Sequence, residues 1–269
     1  MMREGRWSAR LGLRGIPAVC ESGPLARDLE LIRYVAAEED RQATVRAESD
    51  ESQAPPLSPA GDSGRPLAHF QHLSVAQSVR LLREAKLEGL PVTAEVTPLH
   101  LLLTDERLCL FDQNLKVNPP LGSEQDREAL VCALADGTID CVATDHAPHA
   151  PQDKEVPLEE AAWGSTGLET AFAALYSGLV RSGVLALERL VDAMSSAPCR
   201  VLGLPSPRLE VGAPADFCVF DPQETWLVKV SSLRGKSRNC AFLGETFTGR
   251  MRMTVVDGSR RFMRARGEA

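Results

Sequence analysis

Between residues 67 and 145 the hydrophobic period switches back and forth, and this alternation leaves few architectures open. LAHFQHLS (67–74) is short and apolar, and VAQSVRLLREAKLEG (75–89) has amphipathic helical spacing that stops on Gly89. LPVTAEVTP (90–98) reads as a second strand. SEQDREALVCALADG (123–137) reads as a helix, with Ser123 placed to cap it and Gly137 to end it. TIDCVATD (138–145) is a third strand. Strands alternating with helices at this spacing predict parallel βα units. Further helices are expected at about 166–182 and 186–196. Pro24–Ala37 is expected to be helical, with Leu25, Leu29, Ile32 and Val35 on one face.

Polar and ionisable residues collect just after each of these strands: His72 and Ser74, Thr97 and His100, Asp145 and His149. In a parallel sheet or barrel such positions form the carboxyl-terminal rim, where these folds put their chemistry. All five histidines, 69, 72, 100, 146 and 149, are confined to 81 residues. Imidazole nitrogen and carboxylate oxygen are the ligands zinc takes in catalytic sites that keep a position for water. A neighbouring carboxylate can then move a proton to a leaving group, and Asp145 is the candidate for both ligand and shuttle. The residues alone leave a metal hydrolase open beside histidines that merely hydrogen-bond.

Two segments break the βα rhythm. Residues 38–66 are rich in Glu, Asp, Ser, Pro and Gly with almost no large apolar residues, and read as a disordered insertion. From 207 to 263 short β-type runs are broken by Gly, Pro and Asp-Gly turns, which predicts a small all-β appendage. A net charge of −7 and a pI near 5.4 argue against nucleic acid or anionic membrane as partners. No apolar run approaches the roughly 18 residues of a membrane span. Seven cysteines without a CxxC pair read as reduced thiols and a cytoplasmic setting.

TDHAPHAPQDKE, with DGTID before it and WGSTGLET after it, resembles dihydroorotase, a zinc amidohydrolase family of pyrimidine synthesis. SARLGLRGIPAVCE, REAKLEGLPVTAEVTPLHLLLTDE, KVNPPLG, GAPADFCVFDP and the tail from SRN through FLGETFTGRMRMTVVDG are similar to the family in the same order. The resemblance implies an α/β fold: the C-terminal part of a (β/α)8 TIM-like amidohydrolase barrel, incomplete, plus a β-rich appendage. In that division 1–37 is a barrel-like helical segment, 38–66 the insertion, 67–206 the βα units and 207–269 the appendage. The implied reaction is reversible hydrolysis of the cyclic amide of dihydroorotate to N-carbamoyl-L-aspartate. His72, in the QHLS segment, would be a zinc ligand, and Asp145 would bind zinc and act as general acid/base. Asn118 and His149 would hold the substrate's polar groups, with the Trp163–Gly164 backbone closing over the ring.

Other positions take supporting roles. His69 reads as structural, His100 and His146 as supports, and Glu169 as a first-turn helix residue. Leu99 stands where the family has the first of two histidines, and Gly122 where it often has Arg. The family's HxH metal motif occurs nowhere in this chain, which leaves His72 and Asp145 as the matched ligands, whereas a catalytic zinc usually takes about three. The chain therefore reads as the C-terminal part of a dihydroorotase: a truncated product, a late start codon or one piece of a split enzyme. The same gap implies an alternative, a non-catalytic scaffold subunit for aspartate carbamoyltransferase; the partners expected are the small-molecule substrate and either a homo-oligomer or that transferase. A further alternative is an allantoinase- or hydantoinase-type hydrolase.

Overall fold

The computed structural model describes residues 1–48 and 66–264. The chain opens with β1 (Met2–Arg3), α1 (Arg6–Leu11), β2 (Gly15–Ile16) and α2 (Val19–Glu48). Then come β3 (Ala68–Phe70), α3 (Ala76–Leu87), β4 (Val92–Val96), α4 (Pro98–Leu102), α5 (Glu124–Asp136) and β5 (Cys141–Val142). Short helices α6 (Pro151–Lys154) and α7 (Ala171–Leu175) lead to α8 (Leu187–Met194) and α9 (Ser196–Leu202). The last elements are β6 (Phe217–Leu227), β7 (Thr246–Val256) and β8 (Ser259–Met263).

β3, β4 and β5 form a parallel sheet in that order, with Ala68 opposite Val92 and Glu95 opposite Cys141. Side chains alternate across a strand. Val92, Ala94 and Val96 therefore enter the core with Leu82 of α3, Leu130 of α5 and Leu190 of α8. Thr93 and Glu95 point to the other face, where His69 meets both: Nδ1 lies 2.8 Å from Thr93 Oγ1 and Nε2 3.1 Å from Glu95 Oε2. That contact is the structural role expected for His69.

The expected helices α3 and α5 form because each pairs an apolar stripe with a stop signal. Ser123 Oγ accepts the Asp126 N–H at 3.2 Å and the Asp126 carboxylate accepts the Ser123 N–H at 2.9 Å, a reciprocal N-cap. Gly137 ends α5 in the left-handed conformation, with φ 83°.

The amino-terminal part differs from the sequence reading in two ways. β1 and β2 pair in parallel within what was expected to be a helical segment, each being two residues long and too short to register as an alternation. α2 is 30 residues long and runs past Ala37 to Glu48, into the stretch expected to be a disordered insertion. Glu, Arg, Gln and Ala are good helix formers even without an apolar face to bury. The remainder of that stretch, 49–65, lies outside the described residues.

β6, β7 and β8 form a separate antiparallel sheet. A second apolar cluster ties this region to the rest, with Met2, Leu121, Val228, Phe242 and Phe247 buried together.

Candidate functional site: the carboxyl-terminal rim of the parallel sheet

His72 and Asp145 lie just beyond the ends of β3 and β5, and both adopt left-handed backbone, with φ 39° and 45°. For residues other than glycine that conformation costs on the order of 1 kcal/mol or more, so it persists only where the surroundings impose it. His72 is half-buried, and its Nδ1 is buried with no hydrogen-bond partner among the described residues. Asp145 is exposed.

Between them stands His100 in α4, 3 % exposed. Its Nε2 lies 2.9 Å from the Pro119 carbonyl oxygen, which can only accept, so that nitrogen carries the proton and Nδ1 accepts from the Thr97 hydroxyl at 2.8 Å. Burial pushes the His100 pKa down to about 4; the Pro119 bond opposes this, and the charges of His72, Arg3 and Asp145 also act on the ring. The ends of β3, β4 and β5 thus share one electrostatic neighbourhood.

The residues expected to hold substrate sit on two loops. Asn118 is exposed, its peptide bond with Pro119 is cis, and its side chain is bonded to none of the other expected site residues among those described. His149, Trp163 and Gly164 are brought together. His149 Nε2 donates to the Trp163 carbonyl at 2.7 Å, and the Gly164 N–H donates to the Lys116 carbonyl at 2.8 Å. Gly164 has φ +124°, and a Cβ there would stand 2.4 Å from Ala147 Cβ, so only glycine fits.

Two lysines inside the resembling motifs clamp this loop, and the sequence reading passed over them. Lys154 donates to the carbonyls of Ala162 (2.8 Å) and Gly164 (3.0 Å); burial, with Lys116 nearby, lowers its pKa to about 8. Lys116 donates to the Glu159 carbonyl at 2.9 Å and places its ammonium 4.9 Å from the Trp163 ring centroid. Nothing local in KVNPP or HAPQDKE marks either lysine as buried; the contacts that bury them come from Glu159, Ala162, Trp163 and Gly164. Asn239 was also missed: its side chain accepts the His149 N–H at 3.1 Å and donates to the Ala147 carbonyl at 2.9 Å.

His146 Nδ1 accepts the Gly167 N–H at 3.2 Å, a supporting contact. Glu169 lies ahead of α7 rather than in its first turn, and its carboxylate accepts the backbone N–H groups of Arg234 and Gly235 at 2.8–3.0 Å. A cavity of about 640 Å³ lies at the other end of the parallel sheet, lined by Val92, Thr93, Asp140 and Arg189. It is remote from the rim and from the residues with chemistry.

Residues 37–261 match the amidohydrolase family. The chain belongs to the amidohydrolase family. It is 42% identical over 259 residues to the dihydroorotase of Carboxydothermus hydrogenoformans, which covers 96% of this chain and 54% of that one. It is 40% identical over 258 residues to the dihydroorotase of Bacillus caldolyticus, with the same coverage. The chain thus spans about half the length of the curated relatives it matches. Among solved structures it resembles a D-hydantoinase from a Thermus species, with TM-score 0.68, 28% identity and coverage of 72% of this chain and 44% of that chain. The L-hydantoinase from Arthrobacter aurescens gives TM-score 0.66 and 32% identity, covering 71% and 44%.

The resemblance to dihydroorotase is therefore borne out, and the family carries a TIM-barrel-type α/β fold. Metal dependence is general in this family. The donors available here fit such an ion: an imidazole with a buried nitrogen that has no partner among the described residues, and an exposed carboxylate on the same rim. Among the described residues no group of three His, Cys, Asp or Glu side chains is close enough to hold a metal by itself. Among them, too, no helix is long and apolar enough to cross a membrane.

Proposed function

We propose that this chain contributes the rim of a dihydroorotase site, which opens the cyclic amide of dihydroorotate to N-carbamoyl-L-aspartate and closes it again in cytoplasmic pyrimidine synthesis. The observation that carries the reading is the pair His72 and Asp145. Both are held in costly left-handed backbone at strand ends, and His72 keeps a buried nitrogen that no group among the described residues satisfies. In this reading 67–206 is part of a (β/α)8 barrel and 207–269 a β appendage.

His72 and Asp145 would hold zinc, with further ligands supplied from outside the described residues. When bound, zinc supplies Lewis acidity at the amide carbonyl and acidifies the attacking water. Asp145 takes that water's proton on a carboxylate oxygen and delivers it to the departing ring nitrogen. His149 spends Nε2 on Trp163, which leaves Nδ1 for the substrate. Asn118 offers an exposed amide to the substrate's polar groups, and the loop fixed by Lys116 and Lys154 covers the ring from the Trp163–Gly164 side.

The test is metal analysis and dihydroorotate turnover on the purified chain, with hydantoin and allantoin as competing substrates. Turnover of dihydroorotate with bound zinc supports the reading; turnover of hydantoin or allantoin instead reassigns the substrate. The lack of a third ligand among the described residues favours one second reading, a scaffold subunit bound to aspartate carbamoyltransferase. A well-folded chain with neither metal nor turnover that co-purifies stoichiometrically with that partner would establish it.

A further inference from the structure

Arg3 is 4 % exposed and stands at the meeting point of two rim loops. Its guanidinium donates to Ser74 Oγ, two residues past His72, and to the Pro120 carbonyl at 3.2 Å, two residues past Asn118. Glu21, 3.6 Å away, balances its charge. The Glu21 carboxylate in turn accepts the Ser74 N–H at 2.9 Å and the Ser74 hydroxyl. From the other side His100 holds the adjacent Pro119 carbonyl at 2.9 Å. Gly122 leaves the space: a Cβ there would stand 2.8 Å from the Ser74 carbonyl oxygen and 2.7 Å from Asp126 Cβ. One buried guanidinium nitrogen that donates to acceptors on two different loops, beside a carboxylate partner, ties those loops together rather than acting as a loose charge.

We propose that Arg3 and Glu21, with His100, form a positioning bracket that sets the spacing between His72 and Asn118. The bracket rests on the hydrolase reading for the roles of those two residues. Neither Arg3 nor Glu21 touches substrate; they act through the loops, as the groups behind metal ligands commonly do. Arg3 comes from β1 and Glu21 from α2, so the amino-terminal βαβα unit is what locks the rim.

The test combines hydrogen exchange with Co2+ titration on the full chain. Two amides report on the two loops: Ser74 N–H, bonded to Glu21, and Asp105 N–H, bonded 2.8 Å to the Gly122 carbonyl. In Arg3→Met/Glu21→Gln, which leaves neither charge buried alone, both amides are expected to exchange about tenfold faster, while Met253 in β7 is unchanged. Co2+ affinity, read from its visible absorption, is expected to fall about 10–100-fold. Arg3→Lys keeps the charge beside Glu21 but its shorter side chain does not reach the Pro120 carbonyl, and it is expected to quicken Asp105 alone.

Faster exchange confined to Ser74 in the double variant would overturn the bracket, because the loops would then be held separately. Looser loops with wild-type Co2+ affinity would overturn the positioning role. A wild-type chain that takes up no Co2+ counts against the hydrolase reading instead, and the exchange comparison still decides whether the two loops are bracketed.

Discussion

His149 Nε2 donates a hydrogen bond to the carbonyl oxygen of Trp163 at 2.7 Å, joining two loops of the rim. The backbone of His149 is held as well, its N–H by Asn239 Oδ1 at 3.1 Å and its carbonyl by the Ser237 hydroxyl. Three segments distant in sequence therefore meet at one residue. The imidazole is fixed in place, and its tautomer is set by a partner that can only accept.

His149→Phe keeps an aromatic ring, removes that bond from the Trp163 carbonyl and also removes the Nδ1 proposed to meet the substrate. The expected loss is about 1 kcal/mol, a few degrees in melting temperature, read by urea and thermal unfolding. KM for dihydroorotate is expected to rise as well, since the loop over the substrate loosens and the Nδ1 proposed to contact the substrate is gone. An unchanged unfolding midpoint would show that the bond contributes nothing.

His100 gives stability a pH dependence of known sign. Its folded pKa of about 4 lies below the ordinary 6.5, so the unfolded chain takes up a proton first as pH falls. Stability is full above about 6.5 and is lost progressively down to about 4, by at most about 3 kcal/mol from this group. His100→Gln keeps a donor for Pro119 and cannot titrate. Urea unfolding from pH 7 to 4 is expected to show a shallower decline for the variant than for the wild type. Parallel curves would sink the assignment.

What the sequence made legible follows from the range of the forces involved. α3, β4 and α5 could be read because periodicity, cap and stop lie within each segment, as Ser123 and Gly137 illustrate. β1 and β2 could not, because a two-residue strand has no period and exists only through its partner. The rim histidines and Asp145 stood out by residue type. Arg3, Glu21 and Lys154 did not, since a charged residue looks solvated until tertiary contacts bury it. The left-handed backbone at His72 likewise has no local signal, because its neighbours Gln71 and Leu73 are not turn-forming residues.

Gly249 fastens the antiparallel sheet to the helical layer. It has φ +97°, and a Cβ there would stand 2.4 Å from Phe220 Cζ and 2.8 Å from Tyr176 Cδ1. Phe220 also packs edge-on against Phe172 and Tyr176, with ring centroids 4.8 and 4.9 Å apart. Gly249→Ala therefore meets both a backbone conformation unsuited to alanine and an aromatic cluster with no room. The expected loss is about 2–3 kcal/mol, measured by urea unfolding. A change below about 0.5 kcal/mol would mean that the rings shift freely and the junction is not tightly packed.

Asp145 separates chemistry from stability. Its side chain is exposed, and its left-handed backbone is one that asparagine tolerates better than other replacements. Asp145→Asn is therefore expected to change unfolding free energy by less than about 0.5 kcal/mol. Turnover of dihydroorotate is expected to fall about 10²–10⁴-fold, because an amide cannot carry the proton from water to the ring nitrogen. Asp145→Ala should lose as much turnover and also destabilise the fold by about 1 kcal/mol, having no polar group to favour the left-handed turn. Measuring both variants for turnover and for urea unfolding distinguishes the two contributions. If Asp145→Asn keeps near wild-type turnover, the carboxylate is not the proton carrier, and the strand end that displays it serves another purpose.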